Sequence, residues 1–314
     1  MISSMNTILQ TNQLCKSFKD FKAVDNLSFQ VNQGDIFGFL GQNGAGKSTT
    51  IRMLLSLIQP ASGSIEIFGM NLNTHRNEIL RKVGAVIEKP DLYKYLSAYD
   101  NLKMFAKMSG IKVSKSLLMD QLELVGLATR YNSKVGTFSQ GMKQRLGIAA
   151  ALVHNPELIM LDEPTNGLDP QGIADIRNLI LTLSRDRNKT VLVSSHLLSE
   201  IELIANRMII IHHGKKVVEG EVKELLDPSK TILKIETGDN SKACELLSKS
   251  TWTKGLTIIQ NQIQLEITKS DIPELVRFLT AHQTDIYLIQ NLHSLEDYFL
   301  KLTNPKEDVH AVTN

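Results

Sequence analysis

Residues 35–57 read DIFGFLGQNGAGKSTTIRMLLSL, and this stretch decides the fold. Asp35–Leu40 is a short apolar run that predicts a buried strand, while Lys47–Leu57 has the composition of a helix. Between them, Gly41-Gln42-Asn43-Gly44-Ala45-Gly46-Lys47-Ser48 fits G-x-x-x-x-G-K-[ST], in the strand–loop–helix context where that pattern binds phosphate. Glycines let the backbone curl so that successive N–H groups converge on phosphate oxygens. The following helix points its positive end at the same anion. Lys47 is placed to reach the β- and γ-phosphates, and the Ser48 hydroxyl to ligate Mg²⁺. With glycine near 7% of residues, a random chain of this length matches the pattern roughly once in a hundred times, and the flanking strand and helix make chance rarer. Binding of a nucleoside triphosphate follows.

The chain has 314 residues, a net charge of +2, 42% hydrophobic and 22% charged residues. That composition suits one large globular domain or two smaller ones. The near-neutral balance argues against a dedicated nucleic-acid binder. Cys15 and Cys244 match no metal or redox spacing, so both are expected to be packing residues in a reduced, cytosolic setting. The start, MISSMNTILQTNQLCK, lacks the basic residues and apolar core of a signal peptide. No apolar run is long enough to span a bilayer, so a role at a membrane would need another chain.

Alternating apolar and polar residues predict strands over Ile8–Phe18 and Ala23–Val31, with further strands at Ser64–Phe68 and Val83–Ile87. Asp91–Val125 reads as a helical insert. Leu158–Leu161 and Thr190–Ser194 read as short buried strands, and Ile209–Ile211 with Lys216–Val218 as a hairpin around His213-Gly214. Strands alternating with helices imply a largely parallel α/β sheet. The composition shifts near Asp227-Pro228. Beyond it, strands at Thr231–Glu236 and Leu256–Thr268 and helices at Lys242–Ser250 and Ile272–His282 make a small α+β unit. The expected domains are therefore 1–228, with a helical subdomain about 89–155, an accessory unit at 229–302, and a frayed, disordered tail at 303–314.

Leu158–Glu163 (LIMLDE) is an apolar run ending in two acids. Asp162 is the candidate Mg²⁺ ligand, and Glu163 the residue that polarises the attacking water. Paired acids at a strand end are often only solvated loop residues, but the phosphate loop tips the reading to function. His196 follows the strand at Thr190–Ser194, where ligands bind in open α/β sheets, and is suited to the γ-phosphate and its water. Phe138–Arg145 (FSQGMKQR) precedes a helical run, which makes Ser139-Gln140-Gly141 a second anion-binding edge. The phosphate loop is already a complete cradle. A second one requires a second nucleotide, or the same nucleotide approached from another subunit.

The ordered set of phosphate loop, FSQGMKQR, LIMLDEP, GLDP and SSH, spanning about residues 7–225, resembles the ATP-binding subunits of ABC transporters. The resemblance implies an α/β P-loop NTPase fold of ABC type, with an antiparallel β subdomain, a helical subdomain and a small C-terminal α+β extension. It implies ATP and Mg²⁺ as cofactors and a head-to-tail dimer of two copies. Gly41, Asn43, Gly44, Ala45, Gly46, Lys47, Ser48 and Thr49 are then assigned to ATP, and Ser139 and Gly141 to the partner's ATP. Asp169 matches the loop that communicates across the dimer. Phe18 matches the aromatic that stacks on adenine, with Phe21 a competitor and a core role for Phe18 left open. Glu163, His196 and Glu88 are the catalytic candidates; Ser48, Asp162 and Glu88 are the metal candidates.

Two departures from the family pattern stand out. The signature reads Phe138-Ser139-Gln140-Gly141-Met142 where Leu-Ser-Gly-Gly-Gln is usual, which keeps the serine and the second glycine. Glu88 stands where most members have Gln; an ionised carboxylate ligates Mg²⁺ but donates no hydrogen bond. An exposed loop acid is the bland alternative, but the strand leading into Glu88 favours the site. The Glu variant, PDLYKYLSAYDNL and the SxGMKQR-type signature together resemble a narrower group, the ATPases of bacitracin- and lantibiotic-type exporters. That resemblance implies export of a peptide antibiotic or similar amphipathic substrate, giving self-protection. It also implies a transmembrane permease partner, and peripheral location on the inner face of a bacterial membrane. Lys89–Lys107, with Tyr93, Tyr95 and Tyr99, is either the permease groove or ordinary helical packing. The alternatives are a soluble ATPase of the same fold acting on ribosomes or DNA, and a nucleotide-gated regulator with little hydrolysis.

Overall fold

In the computed structural model, the strand ahead of the glycine loop lies inside a six-stranded sheet. The structure describes residues 7–225, 231–259 and 262–292. The chain divides into two compact units, Met1–Val222 and Lys223–Asn314.

The first unit begins with β1 (Thr7–Phe18), β2 (Phe21–Asn32), β3 (Ile36–Leu40), α1 (Lys47–Leu54), β4 (Ser62–Ile67), β5 (Met70–Asn71), α2 (Arg76–Leu80) and β6 (Val83–Val86). Three longer helices follow, α3 (Ala98–Met108), α4 (Lys115–Leu124) and α5 (Gln140–Leu152). The chain then returns to the sheet through β7 (Leu158–Leu161), α6 (Pro170–Arg185), β8 (Thr190–Ser195), α7 (Leu198–Glu202), β9 (Arg207–His212) and β10 (Lys215–Glu221), and a single turn, α8, covers Val222–Leu225.

The main sheet has the order β10-β9-β3-β8-β7-β6. All its pairs are parallel except the β9–β10 hairpin at one edge. Every residue of β3, β7 and β8 is buried, as expected for apolar runs covered on both faces. A second, antiparallel sheet has the order β2-β1-β4-β5. The core joins the two sheets: Phe29 of β2 stacks on Phe37 of β3 with ring centroids 5.9 Å apart, and meets Phe39 at 5.3 Å. Offset and tilted aromatic pairs of this kind add packing energy beyond their buried area.

The helical insert starts later than composition suggests. Asn101 of α3 accepts a hydrogen bond from Tyr93 N at 2.9 Å and donates to Tyr93 O at 3.1 Å, so the preceding segment is held as a loop. Serine hydroxyls cap the insert's helices, Ser97 accepting from Asp100 N and Ser114 from Leu117 N, which satisfies amides that a helix start leaves free.

The second unit contains β11 (Thr231–Thr237), α9 (Asn240–Ser248), β12 (Thr257–Ile259), β13 (Gln262–Ile267), α10 (Ile272–Ala281) and β14 (Ile286–Leu292). Its strands form an antiparallel sheet in the order β12-β13-β11-β14, the split βαβ arrangement. Leu233, Ile235, Ile263 and Leu265 pack with Leu275 and Leu279 of α10. The sequence boundary at Asp227-Pro228 and the 303–314 tail lie outside the described residues. Among the described residues, no helix is long and apolar enough to cross a membrane.

Candidate functional site

The glycine loop turns on Gly46, which caps α1 with a φ of 107°. A Cβ there would sit 2.4 Å from the Ala23 carbonyl oxygen, so both conformation and space require glycine. Ala45 N donates to Gln42 O at 3.0 Å, and Ala45 O accepts from Gly214 N of the β9–β10 turn at 3.0 Å. The loop is therefore braced from below. Lys47 is 5% exposed. Its ammonium donates to Gly41 O at 2.7 Å and Gln42 O at 3.2 Å, and lies 3.1 Å from Oε1 of Glu163. Oε1 accepts no hydrogen bond, so this last approach is a charge contact without hydrogen-bond alignment.

The two acids leave β7 in different directions. Asp162 is fully buried; its Oδ1 accepts from the Ser194 hydroxyl at 2.6 Å, while Oδ2 has no hydrogen-bond partner. Glu163 turns the backbone sharply with a φ of 49°. Its N–H donates to Ser194 Oγ at 2.9 Å, and its Oε2 lies 2.7 Å from Nδ1 of His196. Lys47, Glu163 and His196 thus form one chain of charged and polar groups. Glu88, just beyond β6, also has a left-handed backbone, φ 54°, and pairs with Arg52 at 2.6 Å.

A cleft of about 1070 Å³ opens over this array. Of the residues singled out from sequence, Asn43, Gly44, Gly46, Lys47, Ser48, Thr49, Glu88, Gln140 and Glu163 form its walls. Gly41 and Ala45 lie beneath as hydrogen-bond partners, and Asp162 and His196 lie behind as described. Phe21, Arg52, Gln144 and Asn166 also line it and were not read as site residues, Phe21 aside as a competitor. Arg52 had a legible signal: it falls four residues after Ser48, on the same helix face. Gln144 is 5% exposed with its Nε2 unpartnered; it lies within FSQGMKQR, one helical turn after Gln140. Phe18 is placed away from the walls, with the Lys16 ammonium 5.4 Å from its ring centroid.

Ser139, Gly141 and Asp169 lie off the walls, although Gln140, between the first two, is on them. Ser139 caps α5 by accepting from Met142 N at 3.2 Å, and Asp169 caps α6 by accepting from Gly172 N at 3.0 Å, ahead of Pro170. The nearest atom to a Cβ built on Gly141 is Gly172 Cα at 3.8 Å, so nothing among the described residues requires glycine there. In the Lys89–Lys107 stretch, Tyr95 is 90% exposed, while Tyr99 packs edge-on against Tyr131.

Among the described residues, no group of three or more His, Cys, Asp or Glu side chains is arranged to hold a metal ion. A buried, unpartnered Asp162 oxygen near a wall that carries the Ser48 hydroxyl still fits Mg²⁺, which takes few protein ligands and fills its shell with phosphate and water.

A phosphate-cradling loop whose lysine touches a carboxylate, itself held by a histidine at the carboxyl ends of a parallel sheet, places the molecule among the P-loop nucleotide hydrolases. The comparisons narrow this. The ABC transporter family model matches residues 24–166. The chain is 45% identical over 300 residues to the bacitracin transport ATP-binding protein BcrA of Bacillus licheniformis, covering 95% of this chain and 98% of the relative. It is 42% identical over 214 residues to the lantibiotic transport ATP-binding protein SrtF of Streptococcus pyogenes, covering 68% and 91%. A solved ATP-binding subunit of an ABC transporter superposes with a TM-score of 0.61 at 28% identity, over 70% of this chain and 92% of that one. A dimeric ATP-binding cassette in a post-hydrolysis state with ADP and Pi superposes with a TM-score of 0.62 at 25% identity, over 68% and 99%. The chain belongs to the ATP-binding subunits of ABC transporters and is an ATPase with the ABC-type fold.

Proposed function

We propose that two copies of this chain pair head to tail, each ATP held between Gly41–Ser48 of one copy and Ser139–Gly141 of the other. The observation that carries this reading is Gly141: the described residues of its own chain leave room for a side chain, yet the position is glycine, at the start of α5 and itself off the cleft wall that its neighbour Gln140 joins. Close approach of another molecule accounts for it. The dimeric state of a solved cassette supports the same arrangement.

Within each site, ATP draws Lys47 from Glu163 onto its phosphates. That frees Glu163 Oε1 to take a proton from the attacking water while His196 holds Oε2. The water oxygen bonds to the γ-phosphorus and the bond to the ADP oxygen breaks. Ser48, Asp162 and Glu88 would hold Mg²⁺, whose charge offsets that developing on the phosphates. Thr49 and Asn43 complete the loop's contacts, and Asp169 links the two sites across the pair. The place of Phe21 on the wall supports that ring, rather than Phe18, as the adenine platform. Removing one donor to the developing charge, from Ser139 or Lys47, typically costs about 10²–10³ in rate.

Closure and opening of the pair drive a transmembrane permease through Lys89–Lys107, with this subunit peripheral on the cytoplasmic face. The cargo class is a peptide antibiotic or similar amphipathic molecule, a reading supported by the names of the bacitracin and lantibiotic transport relatives. Residues 1–228 are the ATPase domain and 229–302 the accessory one. Complementation tests the composite site: Lys47→Ala and Gly141→Asp copies, each inactive alone, should regain phosphate release when mixed. Activity absent from the mixture as from each variant alone contradicts the shared site.

A further inference from the structure

We propose that Arg52 is a positioning residue that holds Glu88 in the cleft and cancels its charge beside the nucleotide. The inference rests on the nucleotide-site reading above and names a residue that reading does not use. Arg52 lies on α1 one turn beyond Ser48, so guanidinium and hydroxyl share a helix face. Glu88 has a φ of 54°, a region sparsely used by non-glycine residues, which fixes where its side chain leaves the backbone. The two meet at 2.6 Å, Arg52 Nη2 donating to Glu88 Oε1, and both line the cleft. At 43% and 61% exposure the pair adds little to folding. Its consequence is where it puts charge. ATP brings several negative charges to the loop, and the Glu88 carboxylate lines the same cleft. A bare carboxylate in that place repels the phosphates; one paired with Arg52 does not, and its position is set for a cation.

The test is a double-mutant cycle on the full chain, reading the Kd of ATP in EDTA by calorimetry at low salt. Arg52→Ala is expected to raise Kd about 3–10-fold, the size expected for one unpaired charge near the phosphates in a solvent-exposed site. Adding Glu88→Gln to Arg52→Ala should bring Kd back to within about twofold of the native chain, since the bare carboxylate is then gone. Arg52→Lys should restore most of the affinity. The exchange Arg52→Glu with Glu88→Arg should restore it too, which keeps the test alive if Arg52→Ala folds poorly. A double variant that binds ATP as weakly as Arg52→Ala alone, or no weakening in Arg52→Ala beside native Glu88, overturns the proposal. A native chain that fails to bind ATP at all would instead overturn the nucleotide-site reading on which it rests.

Discussion

The Ser194 hydroxyl donates a 2.6 Å hydrogen bond to Oδ1 of Asp162, so β8 fixes an acid that β7 supplies. The same oxygen accepts from Glu163 N at 2.9 Å, and one hydroxyl therefore orients both acids. Ser194→Ala strips Asp162 Oδ1 of its hydrogen-bond donor and leaves the part-buried N–H of Glu163 unpaired. The expected cost is about 1–3 kcal/mol in stability, read by urea unfolding. Phosphate release should fall by about tenfold or more as the carboxylates lose their geometry. Unchanged turnover would mean that the strand-to-strand bond does not set the acids.

Two glycines separate folding from assembly. Gly46→Ala forces a left-handed residue into contact with Ala23 O and should abolish ATP binding along with about 1–3 kcal/mol of stability. Gly141→Ala meets nothing closer than 3.8 Å and replaces glycine in a helix, so it should raise Tm slightly, through about 1 kcal/mol of helix propensity. It should nevertheless weaken ATP-dependent pairing. Calorimetric melting and sedimentation, run on both variants, check the contrast.

His212 adds a pH dependence. Burial, and then the neighbouring His213 ring 4.0 Å away, hold its pKa below the usual 6.5. As pH falls through about 6.5, the unfolded chain takes up the proton first, so the folded state loses stability from there down to the lowered folded pKa. Replacing His212 with Gln should flatten the slope of unfolding free energy against pH across that window. An unchanged slope would show that His212 is not the titrating group.

Much of the candidate site was legible because it is local. Gly41–Ser48, Asp162, Glu163 and His196 each follow a strand whose apolar run marks its end, and the structure puts them at one end of one sheet. Partners set by strand order were not legible. Ser194 reaches Asp162 only because β8 pairs with β7, Leu161 opposite Val193, across an intervening helix. Phe18 and Phe21 stand at the two ends of one tight turn, and only the turn's geometry puts Phe21 on the cleft. In the insert, helix-forming composition marked α3 and α4, but Asn101 holds residues before α3 as a loop. The β11–β14 unit was readable as α+β; its split order arises from long-range pairing that no local window contains.

The most direct measurement takes the Glu163→Gln chain, which keeps the cradle but lacks the proposed base, and follows its mass in solution by sedimentation with and without ATP. The account predicts a monomer that becomes a dimer on adding ATP, stays paired because turnover is very slow, and falls back to monomer when Gly141→Asp is added. A Glu163→Gln chain that remains monomeric with saturating ATP, both alone and bound to its permease, contradicts it.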